Sequence, residues 1–137
     1  MVGSWVFGCD ICQQVCPWNR FDTLVPQDYP VDLQAELSLT PQAFNNRFRG
    51  SPVLRARRRG YLRNVVVALG NTLDAKAVPA LAETLLHEAE PLVRGHAAWA
   101  LGQVNGVAAQ KALATALESD SDPFVRAEIQ AARQIPT

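Results

Sequence analysis

The chain carries Glu90-Pro91-Leu92-Val93-Arg94, and the same pattern returns as Asp122-Pro123-Phe124-Val125-Arg126. Two further segments return at the same interval along the chain. Ala68-Leu69-Gly70-Asn71 returns as Ala100-Leu101-Gly102-Gln103, and the pair Leu81 and Leu85 returns as Leu113 and Leu117. One period found through three separate segments is typical of a protein built from stacked structural repeats.

Each repeat is predicted to be a pair of helices. An acidic residue caps the first helix, and proline occupies its first turn, where no hydrogen bond is lost. Apolar residues then recur at helical spacing until Gly70 or Gly102 interrupts the pattern, and a second helix follows. Because one pair cannot bury its apolar face alone, neighbouring pairs must stack. The predicted fold class is all-α, a HEAT-like helical repeat (α-solenoid) of about two and a half units, beginning near Leu54 and ending with the half-unit after Pro123.

The overall composition is that of a globular protein, with 48% hydrophobic and 19% charged residues. No apolar run is long enough to cross a bilayer, and the N-terminus lacks the pattern of a secretory signal. Three closely spaced cysteines make a poor disulfide framework and suit metal binding in a reducing compartment. We therefore expect a cytoplasmic, monomeric protein with no membrane partner.

All three cysteines lie in one motif, in which Cys9, Cys12 and Cys16 follow a C-x2-C-x3-C-P spacing. This order is the end of a bacterial ferredoxin-type ligand run for [4Fe–4S] clusters. A structural zinc site and a thioredoxin-type pair are the alternatives. Zinc sites usually add a second cysteine pair or histidines downstream, and a thioredoxin pair needs a βαβ context. The only histidines, His87 and His96, lie far along the chain, so an iron–sulfur role is favoured.

The cysteine before proline binds the other cluster in two-cluster ferredoxins. By that rule Cys9 and Cys12 serve one cluster and Cys16 serves a second, and both clusters need ligands that this chain does not supply.

Three regions are predicted along the chain. Residues 1–21 are a truncated 4Fe–4S ferredoxin-type segment, residues 22–53 are an irregular linker with four prolines, and residues 54–137 are the HEAT-like repeat domain. Within the linker, a short helix is expected after Thr40.

The formal net charge of zero conceals one basic region. From Leu37 to Leu73 there is no acidic residue, while seven arginines occur; outside this segment thirteen acids face six basic residues. A solvated basic helix face is the alternative to a binding role. Arg55, Arg59 and Arg63 are spaced by four and predict one ridge, with Leu54, Tyr61 and Val65 toward the core. Arginine binds phosphate well, so we predict a nucleic-acid contact set of Arg55, Arg58, Arg59 and Arg63.

The helical repeats offer little sign of catalysis. Arg94 and Arg126 occupy equivalent places in successive repeats, which favours a structural role between repeats over ligand contact. His96 and Trp99 are predicted to be packing or edge residues, and His87 is predicted to be exposed. No Ser/His/Asp group, paired-carboxylate site or glycine-rich phosphate loop can be assembled, so no catalytic residue is predicted.

Two segments of the sequence resemble the epoxyqueuosine reductase family. The first is Gly3-Ser4-Trp5-Val6-Phe7-Gly8 together with Cys9-Asp10-Ile11-Cys12-Gln13-Gln14-Val15-Cys16-Pro17-Trp18-Asn19, which is similar to the second cluster motif of that family. The second is Phe48-Arg49-Gly50-Ser51-Pro52 followed by Arg55, Arg58, Gly60, Leu62-Arg63-Asn64 and Ala68-Leu69-Gly70-Asn71, which is similar to the entry into its HEAT-like domain. The resemblance covers the whole chain in order and is weakest in the linker.

The resemblance implies an iron–sulfur, cobalamin-dependent oxidoreductase of queuosine biosynthesis, which reduces epoxyqueuosine to queuosine in tRNA. It implies that Cys9 and Cys12 bind the second [4Fe–4S] cluster, that Cys16 is the fourth ligand of the first, and that cobalamin is bound upstream of this chain. We expect the chain to be a C-terminal portion that is inactive when isolated, supplying cluster ligands and docking tRNA through residues 47–63. The electron donor is not indicated.

Two alternatives remain open at this point. One is a 2[4Fe–4S] electron-transfer protein of another class with an appended repeat domain. The other is a stand-alone HEAT-type interaction module whose cysteines have no function.

Overall fold

The computed structural model describes residues 6–8, 15–17 and 32–135, and every regular element in them is a helix. These ranges contain seven α-helices: α1 (Leu33–Glu36), α2 (Pro41–Arg47), α3 (Arg57–Thr72), α4 (Val78–His87), α5 (Pro91–Val104), α6 (Val107–Ser119) and α7 (Pro123–Arg133). Two 3₁₀ turns, Pro52–Ala56 and Ala75–Ala77, precede α3 and α4. Of these helices, none is both long and apolar enough to cross a membrane.

The helices are arranged in two layers. In the first layer, α3 packs along α5 and α5 packs along α7; in the second, α4 packs on α5 while α6 packs on α7 and α4. This arrangement follows from the repeat, because each helix pair covers the apolar face of its neighbour. The prediction of an all-α, HEAT-like repeat is confirmed.

The core runs through the seam between the two layers. Its largest fully buried residues include Leu62, Leu81, Leu85, Leu101 and Leu113, and Ile129 closes the last repeat. Tyr61 and Val65 are buried as predicted, and Leu54 packs against the same core from the 3₁₀ turn. Each buried leucine contributes about 1.5–3 kcal/mol relative to an exposed one. The repeated leucines therefore hold the stack together.

The repeated glycines do not interrupt their helices, in contrast to the prediction. Gly70 lies inside α3 and Gly102 inside α5, where neighbouring helices approach closely. A Cβ at Gly70 would lie 2.8 Å from Cζ3 of Trp99, and a Cβ at Gly102 would lie 3.0 Å from the Cα of Ala132. Glycine is required at these positions because the backbones cross there without room for a side chain.

The helix starts agree with the sequence in one repeat and differ in the other. Asp122 accepts hydrogen bonds from the backbone N–H groups of Phe124 and Val125, which is the predicted cap. Glu90 makes no such bond through its side chain. Its backbone N–H instead donates to Oε1 of Glu88 at 3.2 Å. The longer glutamate is a poor N-cap, so the predicted acidic cap is wrong at this repeat.

Residues 32–53 are more regular than an irregular linker. The predicted helix after Thr40 is present as α2, and Oγ1 of Thr40 accepts from the backbone N–H of Ala43 at 3.2 Å. Phe44 is buried against Tyr61, with ring centroids 5.7 Å apart. This part of the predicted linker therefore belongs to the packed structure, since its aromatic residue joins the repeat core. The domain boundaries themselves stay predictions.

Candidate nucleic-acid interface

The predicted cluster ligands fall mostly outside the described residues. Cys9 and Cys12 are not among them, while Cys16 is a free, half-buried thiol. Across the ranges that the structure covers, no group of three or more His, Cys, Asp or Glu side chains could hold a metal ion. The assignment of Cys9, Cys12 and Cys16 as ligands stays a prediction.

The segment before the cysteines is attached to the repeat domain at α3. Nδ2 of Asn64 donates to the backbone oxygen of Val6 at 2.7 Å, and Val6 packs against the core. Oδ1 of the same amide accepts from Nε and Nη2 of Arg63, at 3.2 and 3.0 Å. Arg63 therefore orients the amide that holds the segment just before Cys9.

Arg58 is used inside the fold, which argues against the predicted nucleic-acid contact. Its Nε donates to the backbone oxygen of Leu39 at 2.6 Å, and its Nη1 and Nη2 bind both carboxylate oxygens of Glu88 at 2.9 and 2.8 Å. The Glu88 side chain is only 7% exposed. Burial raises the pKa of Glu88, but hydrogen bonds from Arg58 and from the N–H of Glu90 outweigh it, and the pKa lies below its ordinary value. Three of the five N–H donors of Arg58 are therefore used inside the fold, and its predicted contact with nucleic acid stays a prediction.

Arg47 is also paired, with an acid that lies just outside the acid-free segment. Its Nη1 binds Oε1 of buried Glu36 at 2.6 Å, and Oε2 of Glu36 accepts from the hydroxyl of Tyr61 at 2.7 Å. Burial, reinforced by the bond to Glu36, raises the pKa of Tyr61 to about 12. The lack of acids between Leu37 and Leu73 therefore does not leave Arg47 and Arg58 unpaired, because folding brings Glu36 and Glu88 to them.

Four arginines of the segment are exposed and have no ion pair or hydrogen bond with any described residue: Arg49, Arg55, Arg57 and Arg59. The predicted single ridge is broken between two of them. Arg57 has φ 55° and ψ 163°, and it separates the 3₁₀ turn that carries Arg55 from the α-helix that carries Arg59 and Arg63. Only Arg59 and Arg63 share a face of α3.

The position of these charges is unfavourable for the helix itself. The first turn of α3 begins with Arg57-Arg58-Arg59, contains no acid, and has no side-chain cap. A cation near a helix N-terminus opposes the helix dipole, at a cost of about 0.3–1 kcal/mol each. Glu88 compensates Arg58, whereas no described residue compensates Arg57 or Arg59. An uncompensated cost of this kind favours a role in attracting an anion.

Arg94 and Arg126 lie between repeats, as predicted. Nε and Nη2 of Arg94 bind the carboxylate of Asp120 at 2.7 and 3.3 Å, and its Nη1 donates to the backbone oxygens of Glu88 and Ala89. Arg126 donates to the backbone oxygens of Leu117 and Asp120. Arg94 joins the loop before α5 to the loop before α7, whereas Arg126 ties α7 to the end of α6. The acids that bind Arg47 and Arg58, Glu36 and Glu88, were missed because nothing in their sequence positions indicates a partner 11 or 30 residues away.

The stacked helix pairs define the class of the protein. A family model for HEAT repeats matches residues 52–133, and the chain belongs to this family. The match begins at the 3₁₀ turn before α3 and ends at the last residue of α7.

A more specific resemblance is to one kind of HEAT-containing enzyme. Epoxyqueuosine reductase of Xanthomonas campestris is 36% identical over 110 residues, which are 74% of this chain and 31% of that protein. The Bacillus subtilis enzyme is 31% identical over 94% of the chain and 36% of its own length. The chain thus spans about a third of the length of the curated relatives it matches. The predicted resemblance to epoxyqueuosine reductase is confirmed.

Solved structures give the same result. The structure of the Bacillus subtilis epoxyqueuosine reductase matches with a TM-score of 0.85 and 30% identity, over 98% of this chain and 38% of that one. An epoxyqueuosine reductase structure with a tRNA-Tyr epoxyqueuosine-modified stem loop matches with a TM-score of 0.84 and 30% identity, over 97% of this chain and 38% of that one.

Proposed function

We propose that this chain is the tRNA-docking and cluster-ligand portion of an epoxyqueuosine reductase-type oxidoreductase of queuosine biosynthesis. The observation that carries the proposal is the match to a structure of that enzyme bound to a tRNA stem loop, which extends over 97% of this chain. The reduction of epoxyqueuosine, and the cobalamin that the family resemblance implies for it, belong to the enzyme as a whole. We assign no catalytic group of that reaction to the described residues.

The role of the basic segment in docking rests on exposed arginines in the 3₁₀ turn before α3 and in the first turn of α3. Arg55, Arg57 and Arg59 are exposed, and Arg63 is half-buried with its Nε and Nη2 bonded to Asn64. Arginine can bind two phosphate oxygens at once, and contacts of this kind orient a nucleic acid without reading its sequence. Arg58 is left out of the docking surface because Glu88 and Leu39 occupy it.

The role of the cysteines rests on their spacing and on the position of the segment that carries them. Cys9, Cys12 and Cys16 are proposed as thiolate ligands of [4Fe–4S] clusters, which transfer single electrons when bound. The bond between Asn64 and Val6 holds the start of this segment on α3. This contact supports the proposal because it holds Val6, which lies just before the cysteine motif, against the helix that also carries Arg63.

The docking proposal is tested by anisotropy of a labelled tRNA anticodon stem loop titrated with the full chain. The triple variant Arg55→Ala/Arg59→Ala/Arg63→Ala should bind at least tenfold more weakly at low salt, with a shallower dependence of affinity on salt. A matched control removes three exposed cations elsewhere, Lys76, Lys111 and Arg133. Equal losses in both variants would show that only net charge matters and would contradict a defined docking surface.

The cluster proposal is tested by anaerobic reconstitution followed by iron and sulfide analysis. The chain has three cysteines and a cluster needs four ligands. We therefore expect substoichiometric iron that decreases further in Cys9→Ser and Cys12→Ser. A stable four-iron cluster in this chain alone would contradict the assignment of the cysteines to two shared sites.

A further inference from the structure

An open groove crosses the outer surface of the first helix layer. It has a volume of about 410 Å³ and is lined by Val67 of α3, His96 and Trp99 of α5, and Phe124 and Glu128 of α7. The lining follows the repeat. Val67 and Trp99 are equivalent positions in successive repeats, and so are His96 and Glu128. Equivalent surface positions of the three helices of this layer thus form one continuous site, which the docking proposal does not use.

The groove is aromatic because the helices beneath it carry glycine. Trp99 rests on Gly70, and the ring of Phe124 lies directly over Gly95. The rings of His96 and Phe124 have centroids 6.4 Å apart, and Phe124 remains 42% exposed. Three aromatic rings therefore line the same groove. Planar, weakly polar ligands such as nucleobases stack well on such surfaces.

The polar groups of the groove accept hydrogen bonds. Nδ1 of His96 lies 2.8 Å from the backbone oxygen of Leu92, so this nitrogen carries the hydrogen and the Nε2 of the neutral ring is an acceptor. Glu128 adds a carboxylate, which repels phosphate and accepts from N–H donors. The matching ligand therefore has an aromatic face and N–H donors at one edge. Guanine has two such donors side by side, N1–H and the exocyclic amine.

The groove lies at the end of the basic face of α3. Arg59, Arg63 and Val67 are spaced by four residues and share one helix face, with a rise of about 6 Å between successive members. A nucleic-acid strand with its phosphates on Arg59 and Arg63 would reach the groove with its next base. Two arginines followed by an aromatic groove match the alternating phosphates and bases of RNA better than an acidic protein segment, so we take RNA as the occupant.

We propose that this groove binds one unstacked nucleobase of the docked RNA, with guanine preferred. The base stacks against Phe124 and Trp99, and its N–H edge donates to Glu128. This inference rests on the proposed docking of tRNA and assigns a base-binding site to it, in addition to the phosphate contacts.

The test uses the full chain and four labelled oligouridine strands that differ only in the central residue: guanosine, inosine, adenosine or an abasic site. We expect guanosine to bind about tenfold more tightly than the abasic strand, with inosine between them because it lacks the exocyclic amine. Phe124→Ala should reduce the preference for any base. Glu128→Gln should abolish the difference between guanosine and inosine.

Two controls separate this proposal from the docking proposal. Val107→Ala and Glu118→Gln remove an exposed apolar group and an exposed carboxylate on α6, away from the groove, and should leave all four affinities unchanged. Equal, salt-dependent affinity for all four strands in the unmodified chain would overturn the base site while leaving phosphate docking intact. Failure of every strand and of the tRNA stem loop to bind would overturn both.

Discussion

Arg58 and Arg59 are neighbours in the sequence with the same charge, but Arg58 is bonded to Glu88 and Arg59 is exposed, so the docking proposal gives them different roles. Replacing each by alanine separates a structural arginine from a docking arginine with the same change in net charge. Both lie in the first turn of α3, so the effect of either cation on the helix dipole is similar. Any difference between the two variants must come from what each guanidinium contacts.

The expected loss of stability in Arg58→Ala follows from its three hydrogen bonds. The substitution leaves the backbone oxygen of Leu39 and the carboxylate of Glu88 without their guanidinium donor, and the Glu88 side chain is 7% exposed. Removing one partner of a buried ion pair costs about 3–5 kcal/mol. Because the Arg58 side chain is itself 20% exposed, we expect the lower end, about 3 kcal/mol.

The expected loss in Arg59→Ala is in binding. The side chain is exposed and has no partner among the described residues, so its removal should not destabilise the fold, and loss of the cation from the helix N-terminus should raise the free energy of unfolding by up to about 0.3–1 kcal/mol. If Arg59 contacts one phosphate, its removal should weaken RNA binding several-fold. It should also reduce the slope of log affinity against log salt by roughly 0.7–0.9.

Urea unfolding followed by circular dichroism measures the first effect, and anisotropy of a labelled tRNA stem loop measures the second. Arg58→Ala should lower the urea midpoint by more than about 1 M, and its folded fraction should bind RNA with nearly unchanged affinity. The assignment of the two arginines would be refuted if Arg58→Ala stayed stable but no longer bound RNA, and Arg59→Ala bound RNA with unchanged affinity.

Three further predictions concern the stability of the fold. Gly102→Ala should destabilise the fold by about 1–3 kcal/mol because the new Cβ would lie 3.0 Å from the backbone of α7. Gly60→Ala should stabilise it by about 0.5–1 kcal/mol because its Cβ would have only one contact, at 3.6 Å. Equal effects of the two substitutions in thermal unfolding would contradict this. Leu73→Gly should stabilise the fold by about 1 kcal/mol, because Leu73 follows α3 with φ 55°, where glycine is preferred, and its side chain is 62% exposed. An unchanged melting temperature would contradict this prediction. The pKa values of Glu88 and Asp120 lie below their ordinary values of 4.5 and 3.8. Their ionised carboxylates therefore stabilise the fold above pH 4.5 and 3.8, and this stabilisation is lost as the pH falls through the lower pKa values of the folded state. Urea unfolding at acid pH should show the loss, and Glu88→Gln should reduce it.

The repeat is predictable from the sequence because it depends on spacing. Leu81, Leu85 and Leu113 are buried as their interval requires, and Asp122 caps α7 as expected of an acid before proline. The prediction for the glycines is wrong for a physical reason. Sequence reasoning treats Gly70 and Gly102 as helix breakers, whereas close helix crossing requires glycine inside the helix, and only the positions of the neighbouring helices reveal that crossing.

The groove is predictable only in part. The sequence predicts that His96 and Trp99 are packing or edge residues, but nothing local places Phe124 and Glu128 beside them. They come together because one repeat period returns the chain to the same face of the next helix in the layer. A repeat interval thus predicts which positions are equivalent, while the stacking of the helices decides whether those positions join into one surface.

By itself, the sequence determined the helical repeat, the cysteine motif and the presence of a basic segment, since each depends on residue type and spacing along the chain. Only the tertiary structure decided which arginines are available. Arg47 and Arg58 are neutralised by Glu36 and Glu88, which folding brings within hydrogen-bonding distance, whereas Arg55, Arg57 and Arg59 have no such partner among the described residues. The physical reason is that charge pairing acts through space over a few ångströms, and the positions of charges along the chain do not record that distance.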